Sequence, residues 1–129
     1  MLCVDTNIVV DILKGDLITI KKMEEFTNTE ICITPIIASE LYEGCYKSAR
    51  VEKALVLVED FISNTTFLDF NIKSCKLYGQ IYKFLQSKGR ITEEKDLMIA
   101  SICITHNVTL ITKNKKHFQN IPGLKVMYV

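Results

Sequence analysis

The sequence lacks an excess of charge of either sign. Lys plus Arg number 16 and Asp plus Glu number 15, which gives a formal net charge of +1. Such a chain has no global electrostatic attraction for nucleic acid, so a nucleic-acid partner would have to be held by a local basic patch. Only two of the basic residues are Arg, Arg50 and Arg90, and the other 14 are Lys.

Long hydrophobic runs are also absent from the sequence. The apolar run at the N-terminus ends at Asp5, which argues against a secretory signal. The run from Leu97 to Thr105 is about half of the ~20 residues that a membrane helix requires. We therefore expect a soluble, cytoplasmic protein with no membrane partner.

The cysteines form no recognisable metal or redox motif. There are five of them, an odd number, and none stands in a CxxC arrangement. Cys3, Cys32 and Cys103 lie in apolar runs, where a free cysteine packs as a small hydrophobic residue. This usage is typical of a reduced, intracellular protein. His106 and His117 lack ligand spacing and a nearby Cys or Ser, which argues against a histidine-based metal site or catalytic triad.

The composition and the apolar pattern predict one α/β domain over residues 1–129. The chain is 48% hydrophobic and 24% charged, as is usual for a globular fold. Helical segments separate the apolar strand-like runs, so we predict a parallel sheet of four to five strands with helices on both faces. The predicted strands are Leu2–Val4, Ile31–Thr34, Thr66–Asp69, Val108–Thr112 and Leu124–Val129. The predicted helices cover Asn7–Lys14, residues 16–27, a segment from Pro35, Ala49–Ile62, residues 71–89 and residues 93–106, with Thr34, Asn71 and Thr92 as caps.

Polar residues follow the predicted strands, where sites form in open parallel sheets. Asp5 follows the first strand and Glu40 lies in the helix after the second. Thr112 and Asn114 follow the fourth strand, and Asp96 begins the helix before it. We expect the three carboxylates to converge, and such a cluster needs a cation to offset its repulsion. Oxygen ligands suit Mg²⁺ or Mn²⁺, which predicts metal-assisted hydrolysis of a phosphodiester.

Each of these residues also has a purely structural interpretation. Asp5 suits a helix cap, Glu40 fits a solvated helix face, and Asp96 is an ordinary acid for a first helical turn. The basic cluster after the fourth strand suits either contact with phosphates or a solvated surface. It comprises Lys113, Lys115 and Lys116.

Together these residues resemble the PIN-domain nucleases, specifically the VapC-type toxins of toxin–antitoxin pairs. Any one of the motifs is weak, but five in order at suitable spacing indicate the family strongly. They run nearly end to end: Val4–Asn7; Thr34 to Gly44 through Ser39-Glu40-Leu41; Asp69 to Gly89; Asp96–Ala100; and Leu110-Ile111-Thr112 through Phe118 to Ile121-Pro122-Gly123-Leu124.

The resemblance implies an Mg²⁺-dependent endoribonuclease that is usually a homodimer and is inhibited by a small antitoxin inserted into the active-site region. Asp5, Glu40 and Asp96 match the catalytic acids and metal-binding positions of the family, with Asp5 and Asp96 as the direct metal ligands. The supporting polar positions are matched by Thr6, Asn7 and Thr112.

The closing motif departs from the family pattern. Many relatives carry an acid where Asn114 stands, and often another where this chain has His117. Asn also occurs in the family at the first of these positions, so we still expect nuclease activity. The departure bears on a second metal site, which the motif leaves undecided.

Three other functions fit parts of the sequence. One is a PIN-domain nuclease of RNA maturation, and another is a PIN fold that only binds RNA or a protein partner. The third is a receiver-like regulatory module with Asp69 as its phosphoacceptor, although the paired acids expected after the first strand are absent. A haloacid-dehalogenase-like phosphatase needs acids two residues apart, whereas this chain has Asp5 and Asn7.

Overall fold

Five short parallel strands form one sheet in the computed structural model, which describes residues 1–90 and 92–129. The strands are β1 (Leu2–Val4), β2 (Ile31–Ile33), β3 (Thr66–Phe67), β4 (Thr109–Thr112) and β5 (Val126–Tyr128). The helices are α1 (Thr6–Leu13), α2 (Leu17–Met23), α3 (Pro35–Lys47), α4 (Val51–Ser63), α5 (Ile72–Ser87), α6 (Glu94–Thr105) and α7 (Lys115–Phe118), and a short 3₁₀ helix, Glu24–Phe26, follows α2. The predicted α/β class and parallel sheet are confirmed.

The strand order β3-β2-β1-β4-β5 places β1 at the centre of the sheet. The chain first moves outward from β1 to β3, then crosses back to β4 and moves outward again on the other side. Because parallel crossovers are right-handed, α1–α4 cover one face of the sheet and α5–α7 cover the other. The direction in which the chain adds strands therefore reverses between β1 and β4. The carboxyl ends of β2, β1 and β4 lie side by side at this point of the sheet.

Side-chain caps begin four of the helices. Asp5, Asp16, Thr34 and Asn71 each accept a hydrogen bond from a backbone N–H in the first turn of the following helix. Pro35 stands at the first position of α3, where its missing N–H costs no hydrogen bond. These local interactions fix where each chain segment leaves the sheet, and hence where the residues after each strand are placed.

The predicted cap at Thr92 is wrong. Glu93 is the residue before α6, and its side chain makes no capping hydrogen bond. The helix begins one residue later than the pattern predicted, which puts Thr92 outside the capping position. The third strand is also shorter than predicted, since β3 ends at Phe67.

The core lies on both faces of the central strands. All three residues of β1 are buried, and so are Leu110, Ile111 and Thr112 of β4. Helix α6 packs against this sheet with six buried residues, including Leu97, Ile99 and Ile102. Within residues 1–90 and 92–129, no helix combines the length and the apolar character needed to cross a membrane.

The cap of α3 gives a test of this local analysis. Thr34 is fully buried, and its Oγ1 accepts a hydrogen bond of 3.2 Å from the backbone N–H of Ile37. Thr34→Val keeps the side-chain shape but leaves this N–H without a partner, so the free energy of unfolding should fall by ~1 kcal/mol in urea denaturation. Ser63→Ala is the control, because Ser63 is exposed and its hydroxyl only donates to the carbonyl of Asp60. Equal losses in both variants would contradict a specific role for the cap.

Candidate active site

Asp5 lies at the point where the strand order reverses, and both of its carboxylate oxygens accept hydrogen bonds. Its side chain directly follows β1, and the residue is only 5% exposed. Oδ1 accepts from the backbone N–H of Thr6 at 2.9 Å, and Oδ2 accepts from the hydroxyl of Thr112 at 2.6 Å. Thr112 is the last residue of β4, so this contact joins the ends of the two neighbouring strands. Asp5 is thus held in one orientation.

Thr6 connects two of the acids. Its backbone N–H donates to Asp5, and its hydroxyl donates to Oε1 of Glu40 at 3.0 Å. Glu40 is half-buried on α3, and this burial raises the pKa of its carboxyl above the ordinary value. The bond from Thr6 opposes that rise, and repulsion from Asp5 adds to it. One threonine therefore contacts an acid at the end of β1 and an acid of α3.

Asp96 is the third acid, and one of its oxygens is buried without a hydrogen bond. It lies in the first turn of α6, and its side chain is 13% exposed. Burial raises the pKa of its carboxyl to about 6; His117 opposes this, and Asp5, Glu93 and Glu40 add to it. His117 Nδ1 lies at ion-pair distance from Oδ2, 2.8 Å away, and the buried Oδ2 accepts no hydrogen bond among the described residues. The predicted convergence of Asp5, Glu40 and Asp96 is visible in these mutual effects.

His117 is the residue that the sequence analysis missed. His117 has no Cys or Ser nearby in the sequence and no ligand spacing, and its partner is an acid on another helix. The available indication was the closing motif itself, where His117 stands at a position that is often acidic in the family. Helix α7 brings its ring against Asp96.

The other predicted residues lie around this cluster in different ways. Asn7 is exposed in α1, and Asn114 is half-buried before α7 without a side-chain capping bond. The backbone N–H of Asn114 donates to Oγ1 of Thr112 at 3.0 Å. Lys113, Lys115 and Lys116 are all exposed, and Lys113 is also bound by Asp11 and Thr19.

The receiver-like alternative does not fit the sheet. A phosphoacceptor at the end of the third strand belongs beside the other acids, but β3 is an edge strand here. Asp69 is exposed beyond it, and β2 separates that edge from β1.

Comparison with known proteins agrees with this arrangement. A family model described as PIN domain matches residues 2–124. The chain belongs to the PIN-domain family. Ribonuclease VapC2 of Haemophilus influenzae is 30% identical over 121 residues, which cover 94% of this chain and 92% of that protein. The tRNA(fMet)-specific endonuclease VapC of Salmonella typhimurium is 31% identical over 122 residues, with coverage of 95% and 92%.

A solved structure shows the same fold over the full PIN domain. VapBC2 from Rickettsia felis, bound to a DNA fragment from its promoter, superposes with a TM-score of 0.90 at 32% identity, covering 99% of this chain and 98% of that one. The predicted family and the predicted class, a ribonuclease of the VapC type, are confirmed by these relatives.

PIN nucleases of the VapC type are metal-dependent in general, so we tested whether this donor set fits a cation. Within residues 1–90 and 92–129, no group of three or more His, Cys, Asp or Glu side chains is arranged so that it could hold a metal ion. Mg²⁺, however, is usually held by one or two carboxylates, with water and substrate phosphate as the other ligands. The buried, unpartnered Oδ2 of Asp96 and the nearby Asp5 are oxygen donors of this kind. The residues therefore fit a hard cation that keeps much of its water.

The raised pKa of Asp96 predicts a pH-dependent stability of the metal-free protein. An acid with a raised pKa in the folded state contributes stability that is fully present below its unfolded pKa, near 3.8, and lost as the pH rises through about 6. Asp96→Asn should therefore raise the melting temperature at pH 7.5 in a chelator, by ~4 °C for each kcal/mol released. Below pH 4 the two proteins should melt nearly together.

Asp60→Asn is the matched control, since Asp60 is an exposed aspartate of α4. It should leave the pH dependence of melting unchanged. A lower melting temperature for Asp96→Asn at pH 7.5 would show that the charged carboxylate is stabilised in the metal-free protein, which would contradict the raised pKa of Asp96.

Proposed function

We propose that this chain, as one PIN domain over residues 1–129, is the toxin of a toxin–antitoxin pair and cleaves RNA with Mg²⁺ or Mn²⁺ held mainly by Asp5 and Asp96. One observation carries the site assignment. The hydroxyls of Thr6 and Thr112 orient Asp5 and Glu40, while Asp96 keeps a buried oxygen without a hydrogen bond. Carboxylates gathered in this way are stabilised by a bound cation.

The residues of the proposed site have different roles in cleavage. Thr112 and the N–H of Thr6 hold the Asp5 carboxylate in place, and Glu40 is the third acid beside the cation. Since Thr6 occupies only Oε1 of Glu40, Oε2 is left to accept a proton from the attacking water, and the raised pKa makes that carboxylate a better base. When bound, the divalent ion supplies positive charge that activates water and offsets the charge on the phosphorus oxygens.

The substrate class is RNA, and the supporting basic residues are Lys115 and Lys116. Both are exposed in α7, which also carries His117 against Asp96, so their charges lie beside the proposed site. Lysines there favour the approach of a phosphate backbone although the chain as a whole is nearly neutral. The Salmonella relative is named as specific for tRNA(fMet), which makes this tRNA the first RNA to assay.

The proposed partner is a small antitoxin, and the proposed assembly contains a homodimer of this chain. The similar Rickettsia structure is a VapBC complex bound to promoter DNA. An apolar groove of about 370 Å³ lies between α1, α3 and α4, and its lining includes Glu40 together with Val10, Leu41 and Val58. An apolar antitoxin segment in this groove would reach the acids and block them. The cytoplasmic location stays a prediction.

Asp5→Asn should reduce cleavage to background, because an amide removes the negative charge that both threonines orient toward the cation. Cleavage of tRNA(fMet) and of a panel of structured RNAs is measured with Mg²⁺ or Mn²⁺, and a chelator should stop it. Asp69→Asn is the matched control: Asp69 also follows a strand of the sheet, but lies exposed at its edge. It should retain wild-type turnover.

Two outcomes would contradict this proposal. Wild-type turnover of Asp5→Asn at saturating Mg²⁺ would remove Asp5 from the site. If the folded wild-type protein binds these RNAs but cuts none of them with either metal, the chain is an RNA-binding PIN fold.

Asn114→Asp should lower the Mg²⁺ concentration that gives half-maximal cleavage. Asn114 lies beside the residue that holds Asp5, since the backbone N–H of Asn114 donates to the hydroxyl of Thr112. A carboxylate there adds charge to a site that otherwise gains a second ion only when RNA is present. The same charge should lower the melting temperature of the metal-free protein modestly through repulsion.

Asn120→Asp provides the matched control, since Asn120 is exposed beyond the end of α7. It should alter neither the metal titration nor the melting temperature. If Asn114→Asp also leaves both unchanged, Asn114 does not face the metal site.

A further inference from the structure

Lys113 is the one member of the basic cluster whose charge is already bound within the described part of the protein. Its Nζ forms an ion pair with Oδ2 of Asp11 in α1 and donates to Oγ1 of Thr19 in α2 at 2.7 Å. The side chains of Lys113 and Asp11 are about one third exposed, so the pair lies at the rim of the protein. These contacts join residues that are 102 and 94 positions apart in the sequence.

Thr19, which accepts the hydrogen bond from Lys113, is itself held in place. This residue is almost fully buried, and its hydroxyl donates to Oδ2 of Asp16 at 2.6 Å while accepting from Lys113. Asp16 also accepts from the backbone N–H of Thr19 and caps α2. Lys113 is therefore attached to a rigid corner between α1 and α2 and not to a single flexible side chain. We name the side chains of Asp11, Thr19 and Lys113 the corner network.

The corner network holds the segment of chain that contacts two of the acids. Thr112 precedes Lys113 and donates to Asp5, and His117 on the following helix lies against Asp96. The carbonyl of Lys113 accepts a hydrogen bond from the N–H of Lys115 at the start of α7. Movement of Lys113 would thus be transmitted to both contacts.

We propose that Asp11, Thr19 and Lys113 are positioning residues that hold Thr112 against Asp5 for the cleavage reaction. The inference rests on the proposed function and extends it, because it removes Lys113 from the RNA-contacting lysines and leaves Lys115 and Lys116. An exposed ion pair contributes little to global stability, so the effect of losing it is local to the site.

Asp11→Asn separates this role from phosphate binding. If Lys113 positions Thr112, breaking the ion pair lowers kcat about tenfold, since small displacements of catalytic groups have large effects, and changes KM little. If Lys113 instead contacts RNA, the same change frees its charge, so kcat stays constant and KM falls. The second result would overturn the proposal.

Variants of Lys113 provide the complementary measurement. Lys113→Met should lower kcat by a similar factor while the salt dependence of RNA binding keeps its slope. Loss of a phosphate contact would reduce that slope by about one unit. Lys113→Arg, which keeps the charge, should recover most of kcat. The double variant Asp11→Asn/Lys113→Met should be no worse than either single one, because both remove the same interaction.

Lys125→Met is the matched control. The ammonium of Lys125 also donates to a side chain, that of Asn107, but both residues precede the strands β5 and β4, at the opposite end of the sheet. This variant should keep wild-type kcat, KM and salt slope. A comparable fall in kcat there would mean that loss of any lysine side-chain contact disturbs the enzyme, which would overturn a specific role for the corner network.

A measurement without RNA separates this inference from the proposed function. The backbone N–H of Thr6 donates to Asp5, so its ¹H–¹⁵N resonance reports the orientation of that carboxylate. In metal-free protein this resonance should shift in Asp11→Asn and Lys113→Met but not in Lys125→Met, and the first two variants should bind Mn²⁺ about threefold more weakly. An unchanged resonance and Mn²⁺ affinity would overturn the inference, whereas a wild-type protein that cuts no RNA would overturn only the proposed function.

Discussion

Repulsion between carboxylates at one edge of the sheet is the constraint on which the rest of the site depends. Asp5, Glu40 and Asp96 lie near enough for each to influence another, and burial removes the water that would screen them. Hydroxyl and backbone N–H groups that donate hydrogen bonds to Asp5 and Glu40 offset this repulsion. Asp96 has the ring of His117 beside it, but its buried Oδ2 accepts no hydrogen bond, so this oxygen is one that a cation can use.

The order of the strands creates this crowding. With β1 between β2 and β4, the segments that follow the three strands leave the sheet at neighbouring points. Asp5 directly after β1, Glu40 in α3 and Asp96 in the first turn of α6 then come to the same edge. The cluster of carboxylates lowers the stability of the fold at this edge. The extensive burial of the central strands offsets that loss of stability.

The chain segment from β4 to α7 completes the site. It delivers the hydroxyl of Thr112 to Asp5 and the ring of His117 to Asp96, and Lys113 ties it to the corner between α1 and α2. A nuclease needs its acids held more accurately than a short loop alone can hold them. A nearly neutral chain can therefore still present an ordered, negatively charged site with exposed lysines next to it.

The sequence by itself determined the features that arise from local interactions and from regular patterns. Apolar periodicity predicted the strands and helices, Thr34 and Asn71 were identified as caps, and the rule for parallel sheets predicted that Asp5, Glu40 and Asp96 converge. The cap at Thr92 was misplaced because a one-residue shift of a helix start leaves the periodic pattern almost unchanged. Only the tertiary structure decided that His117 lies against Asp96 and that Lys113 pairs with Asp11. Such pairs join residues far apart in the chain, and no local periodicity or capping preference specifies which side chains will meet.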